Sequence, residues 1–438
     1  MSTSKVSPLE LQVINLTIKM FSEPVLDLDY SLLEQHLGEV RERKDALIMA
    51  CHADREVLQS NPKFAEVLMS MGVEPPMKIS PATGKETFAF AKSDPEFKAM
   101  LDHDDERVQA LVAARLGTKS TLEETRTERF MAIANRGLLP VPLKYYAAHT
   151  GRWGGTDKLN LQNLPSRGSN TLKSAILPPP GHVIINCDSS QIEARVLAWL
   201  AGQDDLVQAF ANREDVYKLM ASKIFHKPVD EITKDERFLG KTVVLGCGYG
   251  MGAAKFQISL LGAGVELGLN ECQNIINVYR EANPAIPALW KQANNCLYAM
   301  MEFRTAPIGV RPDAIYLGAY GFVLPSGYVQ GYPGLALDAG GNCSYKSKTT
   351  RTKIYGGKVV ENVVQALARC IIAEQMVWIS ERYRPVMTVH DSIVIVAPEA
   401  EAEKAQAWIE RCMSKTPEWA EGLPLACESG IGRNYGEC

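Results

Sequence analysis

Four side chains recur at steps of four residues: Arg237, Lys241, Leu245 and Tyr249. Residues four apart are neighbours on one surface of an α-helix, so the spacing predicts a stripe with two cations, an apolar side chain and an aromatic ring. A guanidinium forks onto phosphate oxygens, and an ammonium adds a compact point charge. The stripe therefore suits a nucleoside triphosphate, with its phosphates on the cations and a base against the tyrosine. An exposed helix with a scattered basic face is the alternative.

Two acids stand at the ends of strand-like segments. Asp188 ends an apolar run that begins at His182, and Asp391 lies beside His390 between two β-rich runs. The second pattern is typical of a strand–turn–strand unit with an acid at its tip. Magnesium prefers oxygen ligands and takes several of them from substrate phosphates, so both carboxylates are candidate ligands.

Regular elements must position these residues. Thr233 and Glu236 form a capping-box pattern, which predicts that the basic helix starts there. Glycine, tyrosine and proline are frequent in residues 302–357, which indicates hairpins. Hydrophobic periodicity predicts further helices over residues 30–60, 94–115, 122–135, 206–225 and 359–379.

The composition is that of a globular protein. With 438 residues, 46% hydrophobic and 22% charged, the chain can form two or three subdomains. No apolar run reaches the length of a membrane span, and no signal peptide opens the chain. Ten scattered cysteines without a CxxC pair argue against a disulfide frame and a zinc site. The net charge of −4 is mild evidence against nucleic-acid binding, but a local basic stripe is enough for it.

The segments around Asp188, Lys241 and Asp391 resemble motifs A, B and C of family A DNA polymerases, the DNA polymerase I class, in the same order. The resemblance runs from about Thr150 to the C-terminus, where PLACESGIGRNYG resembles the closing strand. The stretch before Thr150 resembles the family's thumb more weakly, and its wording is most similar to phage-encoded members. The resemblance implies an α+β right-hand architecture with an antiparallel-sheet palm, a helical thumb and mostly helical fingers. The expected boundaries are an N-terminal segment tied to the palm (1–29), the thumb (30–125), the palm (126–198 and 360–438) and the fingers (199–359).

The resemblance also implies the reaction: template-directed addition of deoxynucleotides to a primer 3′ end. Asp188 and Asp391 would hold two Mg²⁺ ions, with Mn²⁺ as a substitute and the Ser189 carbonyl as a further ligand. Lys241 would act on the leaving pyrophosphate, so the expected catalytic residues are Asp188, Asp391 and Lys241. The expected nucleotide-binding residues are Arg237, Lys241, Leu245, Tyr249, Glu193, Gln191 and Tyr217.

Primer-template DNA is the second implied partner. The loop after Thr150 is rich in Gly, Asn, Gln and Arg, which by itself indicates only an irregular surface loop. In the family this segment follows the minor groove of the duplex. Gln365 is either the family's primer-side glutamine or an ordinary helix residue. The expected DNA contacts are Arg152, Asn160, Gln162, Asn163, Arg167, Gln365 and His390. In the thumb, the basic cluster of Arg41, Arg43 and Lys44 is either a phosphate grip or a solvated face.

Four positions depart from the family pattern: Ser189 replaces Tyr, Leu245 replaces an aromatic residue, Tyr217 replaces His, and Ser392 replaces an acid. These departures leave open the alternative that the protein is catalytically weak or silent and only binds primer-template. A relative of the single-subunit RNA polymerases is the other alternative. Such enzymes lack an acid at the position of Glu193, where a carboxylate excludes a ribose 2′-hydroxyl. The length leaves no room for a 3′–5′ exonuclease domain, so a separate exonuclease or processivity protein is a further expected partner. The expected location is the cytoplasm, that of the bacterial host if the gene is phage-encoded.

Overall fold

The computed structural model describes residues 6–80, 84–165, 170–347 and 350–438. The chain forms two compact units. The first comprises Met1–Leu26, Pro140–Leu164 and Pro178–Cys438, and the second comprises Asp27–Leu139 and Pro165–Leu177. The predicted thumb, residues 30–125, falls inside the second unit.

Helices make up most of the regular structure. In the described residues they are α1 (Pro8–Ser22), α2 (Tyr30–Cys51), α3 (Arg55–Gln59), α4 (Asn61–Ser70), α5 (Pro95–Ala99), α6 (Glu106–Thr118), α7 (Leu122–Ala134), α8 (Thr171–Ser174), α9 (Ile192–Ala201), α10 (Asp204–Ala211), α11 (Val216–Phe225), α12 (Lys234–Cys247), α13 (Ala253–Gly262), α14 (Leu269–Ala282), α15 (Ala285–Met301), α16 (Gly356–Ser380) and α17 (Ala402–Met413).

The strands are shorter, and all their pairings are antiparallel. They are β1 (Asp27–Leu28), β2 (Met77–Ile79), β3 (Glu86–Phe88), β4 (Leu143–Lys144), β5 (Gly154–Gly155), β6 (Ile176–Leu177), β7 (His182–Ser189), β8 (Tyr316–Gly318), β9 (Gly321–Val323), β10 (Val329–Gln330), β11 (Ala336–Leu337), β12 (Cys343–Lys346), β13 (Arg351–Lys353), β14 (Pro385–Val389), β15 (Ser392–Pro398) and β16 (Cys427–Gly432).

A four-stranded sheet forms the centre of the first unit. Its strand order is β14-β15-β7-β16, so strands distant in sequence lie side by side. Strands β7, β14 and β15 are rich in valine and isoleucine, whose branched side chains favour extended backbone, and most of these side chains are buried. Helix α17 packs on β7 and β16, and α16 packs on β14. The predicted strands before Asp188 and on both sides of Asp391 are confirmed, as is the α+β class.

Helix α16 is the predicted long apolar helix. Among the described residues it alone is long and apolar enough to cross a membrane, but most of it is buried within the first unit. It is therefore a core helix of this unit. The predicted hairpins before it are also present, as the sheets β8-β9-β10 and β11-β12-β13.

The N-terminal helix α1 is fixed to α16 by a buried ion pair. Arg369 Nη2 donates to Glu10 Oε2 over 2.8 Å, and both side chains are fully buried. The guanidinium carbon also lies 5.1–5.4 Å from the ring centroids of Tyr145, Tyr146 and Trp153. Three aromatic rings and a carboxylate thus surround one cation in the core.

Three predicted helices are interrupted. The helix expected over 30–60 is broken into α2 and α3, because His52 adopts a left-handed conformation at the end of α2. The helix expected over 206–225 is broken into α10 and α11, because Arg213 adopts a left-handed conformation and Asp215 caps α11 by accepting from the Tyr217 and Lys218 N–H groups at 3.1 Å. The helix expected over 94–115 is divided in the same way, with Asp105 capping α6. Periodicity predicted the apolar faces correctly but missed the local caps.

The second unit is helical around α2, α6 and α7. Its core includes Phe64, Phe90 and Phe97, which pack edge to face or tilted with ring centroids 5.0–5.8 Å apart.

The basic cluster of α2 turns toward acids of α7. Arg41 pairs with Glu128 at 2.7 Å, Arg43 with Glu123 at 3.0 Å, and the buried Lys44 with Glu124 at 2.5 Å. These cations therefore join two helices, which neither interpretation from sequence had included.

Candidate active site

The two acidic segments meet at one end of the central sheet. Asp188 lies near the end of β7, directly opposite Ser392 of β15 on one side and Glu428 of β16 on the other. The Ser189 N–H donates to the Asp391 carbonyl over 3.1 Å, which places the turn between β14 and β15 beside the end of β7. Register and turn together bring Asp188 and Asp391, 203 positions apart in the printed sequence, to the same sheet end.

Negative charge accumulates at this end. Burial, Asp391 and Glu428 raise the pKa of Asp188 to about 6, although the side chain reaches solvent. Burial also raises the pKa of Asp391, with Glu193 adding to the effect and Arg152 opposing it. Carboxylates crowded by like charge favour either a proton or a cation.

A hydrogen-bonded chain connects this end to the turn after α12. Arg152 Nη2 donates to Glu193 Oε1 over 2.6 Å and lies 3.3 Å from Asp391 Oδ1. The Tyr249 hydroxyl donates to Glu193 Oε2 over 3.0 Å. Burial raises the pKa of Tyr249 well above its usual value, so the phenol stays protonated and remains a donor. Gln191 adopts a left-handed conformation (φ 55°) between β7 and α9, which places Glu193 in the first turn of α9.

Tyr249 does not continue the stripe of α12, which corrects the helical expectation. The predicted capping box of Thr233 and Glu236 is confirmed at the start of α12, but the helix ends at Cys247. Gly248 is its C-cap, and Gly250 has a φ of +78°, a conformation that glycine adopts without steric cost. Tyr249 therefore lies in a turn, from which it reaches Glu193.

The cations of α12 pack around Tyr217 of α11. Arg237 Nε donates to Asp215 Oδ2 over 2.6 Å, and its guanidinium carbon lies 5.4 Å from the Tyr217 ring centroid. Lys241 Nζ lies 6.0 Å from the same ring, and it has no hydrogen-bond partner within the part of the chain that the structure describes. Leu245, one turn further on, is 41% exposed. Tyr217 thus holds two cations on one side of α12.

The residues expected to contact DNA lie in several different local settings. His390, in the turn beside Asp391, has Nε2 3.0 Å from the carbonyl oxygen of Gln162. Asn160 caps the short 3₁₀ turn Leu161–Asn163 by accepting from the Gln162 N–H over 3.1 Å, and Asn163 is exposed. Gln365 is half-buried on α16, without a hydrogen bond to the other predicted site residues. Arg167 lies outside the described residues.

Two acids at the site were missed from the sequence. Glu428 lies in the segment compared with the family's closing strand, but its position beside Asp188 depends on the pairing of β16 with β7. Asp215 orients Arg237 and caps α11 in addition. Asp215 directly precedes a helical run, so the sequence could have identified it as a helix cap. Nothing in the sequence specified the register of β16 on β7.

The carboxylates fit a divalent cation. No three His, Cys, Asp or Glu side chains of the described ranges converge as a metal cluster. The site instead offers the carboxylates of Asp188 and Asp391, whose pKa values are raised by burial and by neighbouring acids. Hard oxygen donors of this kind suit magnesium, which completes its coordination with water and phosphate.

Comparisons with known proteins agree with this geometry. The structure of the POL domain of Pol1 from M. smegmatis in complex with DNA primer-template and dNTP matches 99% of this chain and 71% of its own length, with a TM-score of 0.72 and 21% identity. The fold is therefore that of a polymerase domain, the right-hand class with its sheet in the palm.

Sequence relatives narrow the class. The model of DNA polymerase family A matches residues 30–309. The DNA polymerase of Bacillus phage SP02 is 29% identical over 387 residues, which is 76% of this chain and 58% of that protein. DNA polymerase I of Pseudomonas aeruginosa is 25% identical over 421 residues, 94% of this chain and 42% of that protein. The chain belongs to DNA polymerase family A, and it spans roughly half the length of these two relatives.

Proposed function

We propose that this protein is a template-directed DNA polymerase that extends a primer 3′ end with deoxynucleotides, in phage DNA replication and in the cytoplasm of the bacterial host. The observation that carries the proposal is the convergence of Asp188 and Asp391 at one sheet end, linked through Arg152 and Glu193 to Tyr249 after the basic helix. Family membership and the polymerase fold support it.

Asp188 and Asp391, with the Ser189 carbonyl, would hold two Mg²⁺ ions. Such ions lower the pKa of an attacking hydroxyl and neutralise the oxygens of a leaving pyrophosphate. The carboxylates contribute fixed negative charge, and α12 contributes the opposite charge. Arg237, oriented by Asp215, would bind the outer phosphates, while the unpartnered ammonium of Lys241 would stabilise the leaving pyrophosphate and donate a proton to it.

Sugar selection would depend on Glu193. Its two carboxylate oxygens are fixed by Arg152 and Tyr249, so it presents a rigid, filled volume rather than a mobile side chain. A ribose 2′-hydroxyl directed at this volume would meet a steric clash, whereas a deoxyribose would not. Leu245 would pack near the sugar, with Gln191 and Tyr217 completing the nucleotide site.

The proposed DNA contacts lie along the loop from Arg152 to Asn163 and on the turn of His390. Asn160 and Gln162 would face the minor groove, where acceptors occur at similar positions for every base pair, so that pair geometry is tested rather than sequence. Gln365 of α16 is proposed on the primer side. A separate exonuclease or processivity protein remains a proposed partner.

A labelled primer on a template with a 5′ overhang tests this function. We expect extension with deoxynucleotides and Mg²⁺, with Mn²⁺ also active, and far slower extension with ribonucleotides. Binding of the primer-template without any extension would favour a catalytically silent protein. Faster use of ribonucleotides would favour an RNA polymerase relative.

A further inference from the structure

A basic segment precedes α16 and has no place in the site described above. From Gly334 to Tyr355 the sequence has four basic residues and a single acid, Asp338, in a chain whose net charge is −4. The small sheet β11-β12-β13 lies in this segment, and every residue of its edge strand β13 is exposed. Asp338 is held by its own turn, where it accepts hydrogen bonds from Gly340 and Asn342.

The register of this sheet collects three cations on one face. Lys346 is paired with Arg351, and Ser344 is paired with Lys353. Side chains of directly paired residues, and of residues two apart in a strand, point to the same side. Lys346, Arg351 and Lys353 therefore share a face, which we name the cationic face.

The opposite face fixes the sheet to the rest of the first unit. Tyr345 directly precedes Lys346 in β12 and is paired with Thr352 of β13, so it points the other way. Its ring stacks on His149 at 5.9 Å between centroids and meets Tyr332 edge to face at 5.1 Å. The cationic face is thus presented to solvent by an anchored sheet.

Arg351 is held in a fixed orientation. Its Nε donates to Ser344 Oγ over 3.0 Å, and its Nη2 donates to the carbonyl oxygens of Ser344 at 2.7 Å and Gly334 at 3.0 Å. An arginine has five N–H donors, so the two on Nη1 remain for a ligand. A guanidinium with fixed geometry and two remaining donors matches a phosphate group.

Aromatic residues lead from this face toward the Tyr249 turn. Tyr355, two residues after β13, is 51% exposed, and Gly357 lies against the Tyr249 carbonyl. Tyr355 lines a cavity of about 370 Å³ with Trp290, Arg280 and Lys291. Aromatic rings interleaved with cations characterise surfaces that bind single-stranded nucleic acid.

We propose that the cationic face binds the phosphates of the single-stranded template ahead of the active site. The aromatic path between this face and the Tyr249 turn favours a single strand over a duplex, because stacking needs unpaired bases. This inference rests on the proposed function, since it assumes a DNA template, and it adds a binding surface outside motifs A, B and C.

The test is the double variant Lys346→Ala/Lys353→Ala, which leaves the hydrogen bonds of Arg351 intact. The matched control is Lys404→Ala/Arg411→Ala, which removes the same charge from two exposed residues of α17. Binding is measured with a primer-template whose 5′ overhang is about 12 nucleotides and with one whose overhang is a single nucleotide. We expect the double variant to lose about tenfold in affinity for the long overhang only, with a salt slope smaller by about 1.4, or 0.7 per lost contact.

Single-nucleotide incorporation on the short overhang should remain at the parental rate. Equal loss on both substrates would place the contact on the duplex and overturn the proposal, as would affinity equal to that of the control. If the unsubstituted protein binds both substrates but does not extend them, the proposed function is refuted, while the binding comparison can still be interpreted.

Discussion

At the end of the central sheet, Asp188 and Glu428 face each other on neighbouring strands, and like charges in this arrangement destabilise a sheet. The Glu428 side chain is exposed and has no hydrogen bond or ion pair to another described residue. The pair therefore costs stability unless a cation is bound between or beside the acids. This cost is characteristic of sites selected for activity rather than for stability.

The raised pKa of Asp188 makes this cost measurable. The folded pKa is about 6, above the ordinary value of 3.8, so folding is penalised once Asp188 is ionised. The penalty begins above the unfolded pKa, grows as the pH rises to about 6 and is complete beyond it. Without Mg²⁺, Asp188→Asn should therefore raise the melting temperature at about pH 8 and change it much less at about pH 4.5.

Added Mg²⁺ should stabilise the parent and not the Asp188→Asn variant. Glu428→Gln is the companion variant, since it removes the facing charge and keeps Asp188. It should give a smaller stabilisation at about pH 8 and retain part of the response to Mg²⁺. Melting curves that are equal for parent and Asp188→Asn at both pH values would contradict the charge crowding.

The fixed carboxylate of Glu193 leads to a second prediction. Glu193→Ala opens the volume held between Arg152 and Tyr249, so the preference for deoxy over ribo triphosphates should fall by at least about tenfold, with a loss of overall rate. Glu193→Gln keeps the volume and should retain most of the preference. The measurement is the ratio of kcat/KM values for the two sugars. An unchanged ratio in the alanine variant would place the sugar gate elsewhere.

At the scale of elements, the position of α12 depends on close contact with α11. A Cβ on Gly240 would lie 2.2 Å from the Tyr217 carbonyl oxygen, a backbone atom that cannot move alone. Gly240→Ala should therefore push the helices apart, cost about 2 kcal/mol and raise the KM for nucleotides, because Arg237 and Lys241 both pack on Tyr217.

Gly246→Ala provides the matched control in the same helix. Its Cβ would meet only the end of the flexible Met251 side chain, at 3.0 Å. It should be tolerated, with a gain in helix propensity of up to about 1 kcal/mol. Urea unfolding and nucleotide KM together test the pair, and equal destabilisation by both variants would argue against the α11–α12 contact.

Element prediction succeeded where the signal was local. The capping box of Thr233 fixed the start of α12, and alternation of apolar residues identified the strands next to Asp188 and Asp391. The end of α12 was missed because the step of four extended to Tyr249, although glycines at 246, 248 and 250 weaken a helix there. The break at Asp215 was missed because apolar periodicity continues across it.

At the scale of the whole molecule, long-range pairings were not accessible from the sequence. The register of β16 on β7 brings Glu428 to Asp188, and Arg369 of α16 pairs with Glu10 of α1. Each depends on tertiary packing between segments more than 200 positions apart. The positions of the acids and cations could nevertheless be predicted in large part, because these residues lie at strand ends and on one helix face.

The Glu10–Arg369 pair should matter for the stability of the first unit. Glu10→Gln leaves a buried guanidinium without its counter-charge, so it should cost about 3 kcal/mol in urea unfolding. Glu23→Gln is the control: it breaks the exposed pair with Arg384 and should cost at most about 1 kcal/mol. Equal losses would show that burial adds nothing to the pair.

The central claim is that Asp188 and Asp391 form one catalytic metal site, and primer extension by Asp391→Asn tests it most directly. The substitution keeps the volume of the side chain and removes its charge, and Asp313→Asn makes the same change at an exposed position away from the site. We predict that Asp391→Asn and Asp188→Asn each reduce the rate of single-turnover extension by at least about a thousandfold, because groups that act as a unit fail together. Primer-template binding should stay within a few-fold of the parent, and Asp313→Asn should match the parent in both assays. Extension by either active-site variant within tenfold of the parental rate would contradict the claim.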